Sequence, residues 1–261
     1  MINFCNLYSG STGNCTFVSS DTTNILIDAG VSCQKISKAL SELDVGLENI
    51  DAILITHEHI DHTKGITTIS KKYNIPIYAT SKTWDAMKSL EANEACKEFF
   101  VANEEFHIGD LKVMPFSIPH DAADPCAFSI YNESKKVTVA TDMGHVTSEI
   151  LQQMEDSNIL LLESNYDRET LNCGPYPYFL KKRIAGEFGH LSNEMASKAI
   201  AHLSKKGVQN FVLGHLSKEN NFPELAYQTV LNELNTNHID VAKYHLSVAN
   251  RDKIDNLIQL A

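Results

Sequence analysis

Residues Asp51–Gly65 read DAILITHEHIDHTKG, an apolar run that closes on His57, His59, Asp61 and His62. Three imidazoles and a carboxylate at the end of a buried strand are costly to desolvate unless they are paired or bind a cation. They cannot share one face of a regular helix, where neighbours lie three or four residues apart. They converge if the chain leaves a strand, turns, and enters a helix near Asp61. His57 and His59 then face one metal ion, and Asp61 and His62 a second beside it. A pair of divalent ions roughly 3.5–4 Å apart is the usual arrangement for in-line hydrolysis of phosphate esters.

Such a site needs further ligands, and other strand-like runs supply them. TNILIDAG ends in Asp28, KVTVATD in Asp142 and QNFVLGH in His215, while FSIPH reaches His120 less regularly because of Pro119. NCTFVSS, PIYAT, CAFSIYN and NILLLES also read as strands. Helical stripes are expected at Cys33, Ile36, Leu40 and Leu43, and at Met195, Ala196, Ala199, Ile200 and Leu203, the second capped by Ser192. Strands adjacent mid-chain and separated by helices elsewhere predict two packed sheets with helices outside. No linker or low-complexity tract interrupts residues 1–261, so one domain is expected. His107, His202, His238 and His245 are expected to bind nothing, and His145, three residues after Asp142, is left open.

A chain of 261 residues buries a sizeable core without help from a metal, so a bound metal would be catalytic rather than structural. The six cysteines form no CxxC pair and no disulfide framework, which predicts a reducing, cytoplasmic setting. No apolar run approaches membrane-spanning length, so no membrane insertion is expected. The formal charge of −11 argues against whole-surface attraction to nucleic acid but allows a local basic groove. Lys181, Lys182 and Arg183, in YFLKKRIAGEFGH, form the clearest such run.

THEHIDH, taken with the later His120, Asp142 and His215, resembles the metallo-β-lactamase superfamily over nearly the whole chain. That resemblance implies an α/β (α+β) fold, the four-layer αββα sandwich, with the site along one edge of its sheets. It implies His57, His59 and His120 on one metal, Asp61, His62 and His215 on the other, Asp142 bridging, and Asp28 supporting the ligands through hydrogen bonds. A bridging Asp142 departs from the lactamases, and the retained His59 departs from the redox di-iron members. Hydrolysis of phosphodiesters or thioesters remains.

GHLSNEMA places His190 two residues before a helix start, where backbone N–H groups attract phosphate. The segment resembles the histidine-serine motif of tRNA 3′-processing nucleases, whose histidine protonates the leaving group; VLGHLSKENN, with Ser217 and Asn220, resembles their last motif. The extended arm of those nucleases and the inserted domain of the β-CASP nucleases have no counterpart here. SGSTGNC, ILIDAG, THEHIDHTKG, ATDMGH, ESNYD, GPYPYFLKKRIAGEFGHLSN and LGHLSKENN together resemble the YycJ family, also called WalJ or VicX, of bacterial proteins encoded beside a cell-wall-sensing two-component system.

The family resemblance implies a DNA exonuclease acting from 5′ ends, linked to mismatch repair, with protein partners in repair or signalling. The cofactors implied are two divalent ions: zinc, manganese or iron. Asp61, Asp142 and His190 are the expected catalytic residues. Arg183 is expected to clamp phosphate, its planar donors suiting that group, and Ser11, Gly13, Asn14 and Ser217 to line the cleft. The competing readings are a hydrolase of small phosphodiesters or thioesters, and a metal-bound regulatory protein linked to cell-wall signalling.

Overall fold

The computed structural model describes residues 1–260, which fall into two compact units. The first comprises Met1–Ser117, Ala122–Lys135 and the C-terminal segment from Asn250; the second comprises Ile118–Asp121 and Lys136–Ala249.

The first unit opens with β1 (Ile2–Tyr8), β2 (Cys15–Ser19) and β3 (Asn24–Ile27), an antiparallel meander. Helix α1 (Cys33–Ser41) follows, its Ser32 side chain accepting from Lys35 N–H as the N-cap, and it buries the stripe Cys33, Ile36, Ala39 and Leu40. Each fully buried Ile or Leu on that stripe contributes roughly 1.5–3 kcal/mol. Next come β4 (Ala52–Leu54), the single turn α2 (Ile60–Thr63), α3 (Ile66–Tyr73), β5 (Ile77–Ala79), α4 (Ser81–Ala86) and β6 (Lys97–Phe99). The strands β3 to β6 run parallel, as strands joined by helical crossovers do. β7 (Phe106–Ile108), β8 (Leu111–Ser117) and β9 (Cys126–Asn132) make a second antiparallel meander.

The second unit is built on β10 (Lys135–Ala140), β11 (Ile159–Glu163), β12 (Asn210–Gly214) and β13 (His245–Val248), all parallel in that order. Its helices are α5 (Ser148–Met154), α6 (Arg168–Cys173), α7 (Tyr178–Ile184), α8 (Asn193–Leu203) and α9 (Pro223–Thr236). Ser192 caps α8 as expected, accepting from Met195 N–H at 3.2 Å. The predicted stripe is buried at Ala196, Ala199, Ile200 and Leu203, whereas Met195 is only half-buried. The last strand, β14 (Ile258–Leu260), belongs to the first unit and pairs with β1, giving the order β14-β1-β2-β3-β4-β5-β6.

Every strand expected from the sequence is present; β1, β6, β7, β13 and β14 were not expected. Among the described residues no cysteine is in a disulfide, and no helix is long and apolar enough to cross a membrane.

Candidate metal centre

In the first unit the parallel register of β3 and β4 pairs Ile27 with Leu54, so the residues just beyond both strand ends lie side by side. Asp28 leaves β3 in the left-handed region, at φ 64°, a conformation uncommon for a side chain other than glycine. The kink turns its carboxylate across to the neighbouring strand end. There Oδ1 accepts from Thr56 N–H at 2.9 Å, and Oδ2 lies 2.7 Å from His62 Nδ1 and 2.9 Å from the Thr56 hydroxyl. The Thr56 hydroxyl in turn stands 3.0 Å from His57 Nδ1. A carboxylate only accepts, so His62 carries its proton on Nδ1 and presents the Nε2 lone pair. A hydroxyl that donates to Asp28 accepts from His57 Nδ1, which leaves that ring's Nε2 as the ligand atom as well.

The chain turns after Thr56 and enters the short helix α2 at Ile60, as the spacing of the motif predicts. His57 and His59 rings stand 4.6 Å apart, His57 and His62 4.1 Å, and Asp61 Oδ2 lies 3.7 Å from His62 Nε2. Backbone bonds lace this turn to its neighbours: Asn14 N–H donates to Asp61 O, Ala29 N–H to His62 O, Gly30 N–H to Asn14 O and Gly65 N–H to Ala29 O, each at 2.8 Å. Glycine is required at 30 by this close approach, because a Cβ there would fall 1.6 Å from Asp61 O.

In the second unit, β10, β11 and β12 end in register, Ala140 opposite Leu162 and Glu163 opposite Gly214. Asp142, Glu163 and His215 therefore emerge together at the carboxyl ends of three parallel strands. Asp142 and His215 also have left-handed backbones, φ 60° and 54°. Ligand atoms of Asp142, Glu163, His190 and His215 lie within 4.8 Å of one another. Asp142 Oδ1 is 3.4 Å from His215 Nε2, 3.5 Å from His190 Nδ1 and 3.8 Å from His120 Nε2.

Glu163, not foreseen as part of a site, organises this cluster. Its Oε1 is 2.8 Å from His190 Nδ1 and 2.9 Å from His215 Nδ1, while Oε2 accepts the N–H groups of Met143 and Leu191. Burial alone would raise its pKa, but the charge and hydrogen bond of His190 and the hydrogen bond from His215 outweigh that and hold it below the ordinary range. An ionised Glu163 makes both Nδ1 atoms donors and turns His215 Nε2 out as a lone pair. His120 is similarly oriented, Nδ1 donating to Gly189 O at 3.0 Å. Burial lowers its pKa, more than the Asp142 carboxylate raises it, so its ring is held neutral, the form a metal takes.

The donors thus fit divalent metal: neutral imidazoles anchored at Nδ1, carboxylates beside them, and buried hydrogen-bond partners behind, as in metal sites generally. Nitrogen and oxygen donors without thiolate suit zinc, manganese and iron alike.

The expected cleft residues fall differently. Ser11 is exposed in the β1–β2 loop. Asn14 is buried, its Oδ1 accepting from Gly10 N–H and its Nδ2 lying 3.3 Å from Asp61 O and 3.1 Å from His62 Nε2, so it braces the histidine motif. Ser217 is buried, and its hydroxyl accepts from Asn220 N–H at 3.2 Å, closing a turn. Arg183 makes a bidentate pair with Asp121, Nε to Oδ2 at 2.6 Å and the second nitrogen to Oδ1 at 3.1 Å. His145 faces Glu187 O at 3.1 Å, and His202 lies 3.6 Å from Glu155.

A family model described as a β-lactamase superfamily domain matches residues 23–216. The exodeoxyribonuclease YycJ of Bacillus anthracis is 36% identical over 88% of this chain and 88% of its own. The exodeoxyribonuclease WalJ of Streptococcus pneumoniae serotype 2 is 37% identical over 87% of this chain and 86% of its own. Among solved structures, the metallo-β-lactamase fold protein YhfI of Bacillus subtilis superposes with TM-score 0.71 at 15% identity, covering 98% of this chain and all of that one. Zinc-bound PqqB of Methylobacterium extorquens superposes with TM-score 0.70 at 16% identity, covering 97% and 99%. At such identities these two likenesses carry the fold alone.

Proposed function

The chain belongs to the metallo-β-lactamase superfamily and, within it, to the family of the YycJ and WalJ exodeoxyribonucleases; from that premise we propose that it is a dinuclear metal-dependent phosphodiesterase that degrades DNA from 5′ ends. The observation that carries the reading is the cluster of Asp142, Glu163, His190 and His215. In it, ligand-type donors sit beside a partly exposed imidazole whose Nδ1 is held by a buried carboxylate.

In this reading residues 1–261 act as one hydrolase domain. His57, His59 and His120 would hold one ion and Asp61, His62 and His215 the other, with Asp142 a ligand shared by both. Such ions supply Lewis acidity toward a phosphodiester oxygen and lower the pKa of a water. Glu163 accepts from Nδ1 of His190, so in the imidazolium form the opposite nitrogen, Nε2, faces substrate and gives its proton to the departing oxygen, leaving the neutral ring, a step worth roughly 10²–10⁴ in rate. Asp28, through Thr56 and His62, keeps the first histidines in the tautomer a metal requires. Arg183 orients the strand while tethered to Asp121. Zinc, manganese or iron serves as the metal, and the setting is cytoplasmic, with a role in mismatch repair and repair or signalling proteins as partners.

The test is digestion of end-labelled single- and double-stranded DNA by metal-loaded protein beside Asp142→Ala and His190→Ala. Stepwise loss from 5′ ends is expected, with metal and activity falling together in Asp142→Ala and activity alone falling in His190→Ala. Inactivity of the metal-loaded wild type on DNA would overturn the reading.

A further inference from the structure

Helix α7 buries only part of its surface. Ile184 packs with Tyr166 and Leu171, and Leu180 lies against the same cluster, so the core needs one stripe of this helix and no more. Outside that stripe stand Tyr178 and Phe179, about 100° apart around the helix, 72% and 74% exposed, the two most exposed large apolar side chains among the described residues. Large apolar side chains exposed together mark surfaces that bind something. Lys181 and Lys182 flank Tyr178, the ammonium of Lys182 lying 5.0 Å from the Tyr178 ring centroid. Between α6 and α7 opens a cavity of about 350 Å³ lined by Asn172, Tyr178, Lys181, Lys182 and Ala185. That is within the range of small-ligand sites.

The helix also runs directly into the catalytic cluster. Ile184 O accepts from His190 N–H at 2.9 Å, Arg183 is paired to Asp121, and Gly189 O receives His120 Nδ1. A loop of five residues, 185–189, therefore joins the aromatic face to two histidines of the site. Exposed aromatic rings interleaved with lysines, in a chain whose net charge is −11, are a local exception to its acidity. Aromatic faces stack bases and ammonium groups meet phosphates, the combination that holds single-stranded nucleic acid.

We infer that the exposed surface of α7 is the platform that grips the single-stranded part of a nucleic-acid substrate, Tyr178 and Phe179 stacking successive bases while Lys181 and Lys182 meet the backbone. The inference rests on the nuclease reading and adds the subsite that holds the polymer. It divides the basic triplet: Arg183 is paired with Asp121, Lys181 borders the cavity while donating to Asn172 O at 2.7 Å, and Lys182 borders it beside the Tyr178 ring.

The experiment measures fluorescence anisotropy of a labelled phosphorothioate oligodeoxythymidylate with metal-loaded wild type and with the double variant Tyr178→Ala, Phe179→Ala. Both side chains lie outside the core, and circular dichroism checks the fold. The expected result is an affinity lowered roughly 10- to 100-fold. In Lys181→Ala, Lys182→Ala the salt dependence of log K should flatten by about 1.4, from a slope contribution of roughly 0.7 for each of two phosphate contacts on single strands. Equal affinity of the aromatic variant and wild type overturns the platform while wild-type digestion of DNA leaves the nuclease reading standing; the occupant of the exposed rings is then a protein. Failure of wild type both to bind the oligonucleotide and to digest DNA overturns both.

Discussion

Glu163 Oε1 lies 2.8 Å from His190 Nδ1, and the same oxygen lies 2.9 Å from His215 Nδ1. One fully buried carboxylate thus sets the tautomer of two imidazoles with different proposed duties, a metal ligand and a proton donor. Glu163→Gln keeps the shape but can turn an N–H₂ group toward two N–H donors. Turnover on DNA is expected to fall by roughly 100-fold or more, because partners of this kind tune both metal affinity and proton transfer. A kcat within twofold of wild type would show that His190 needs no such support.

Asp28 plays the corresponding part among the histidines of the first unit, reaching His62 directly and His57 through the Thr56 hydroxyl. Asp28→Asn is predicted to weaken metal binding by roughly 10- to 100-fold. Chelator competition, with the metal retained read at each chelator concentration, checks it. Retention curves that superimpose on wild type would remove Asp28 from the site.

The proposed ligands were legible because His57, Asp142 and His215 each follow an apolar run, and a parallel register does align such ends. Glu163 also ends such a run, ILLLE, but its partners His190 and His215 lie 27 and 52 residues away, and a strand-ending glutamate reads equally as a turn. Asn14 was expected to line the cleft; its burial depends on Gly10 and Asp61, contacts that only the fold brings together. β1 escaped because Asn3 and Asn6 interrupt its apolar pattern, although Asn6 is buried and donates to Asn250 O. The pairing of Arg183 with Asp121 spans 62 residues, beyond the reach of local sequence pattern.

Gly30 and Gly46 offer a paired test of how tightly the histidine motif is packed. A Cβ at Gly30 would meet the Asp61 carbonyl at 1.6 Å, which moves only if the motif moves; at Gly46 it would meet the movable carboxylate end of Glu48 at 2.3 Å. Gly30→Ala should cost about 3 kcal/mol or more, lowering the melting temperature by roughly 6–12 °C, with loss of metal binding. Gly46→Ala should shift it by about 2 °C or less. Similar melting temperatures for the two variants would mean that the Asp61 turn yields freely.

Lys136 provides a pH test remote from the histidines. Its ammonium donates to Gln153 O and Glu155 O, both at 2.7 Å, closing the C-terminal end of α5. Burial pushes its pKa down from 10.5 to about 8, against the opposing pull of Asp156 and Glu155. Below about pH 8 the folded and unfolded chains both bind this proton. Between about pH 8 and 10.5 the unfolded chain holds it and the folded chain releases it, so stability rises with pH across that window. Relative to Lys136→Met, which lacks the group, the wild type should gain on the order of 1–2 kcal/mol between pH 8 and 10, after allowance for partial solvent screening. Urea unfolding of both proteins at several pH values gives the difference directly. A constant difference would mean that the two carbonyls keep Lys136 charged throughout, and a falling one that they stabilise the ammonium more than burial opposes it.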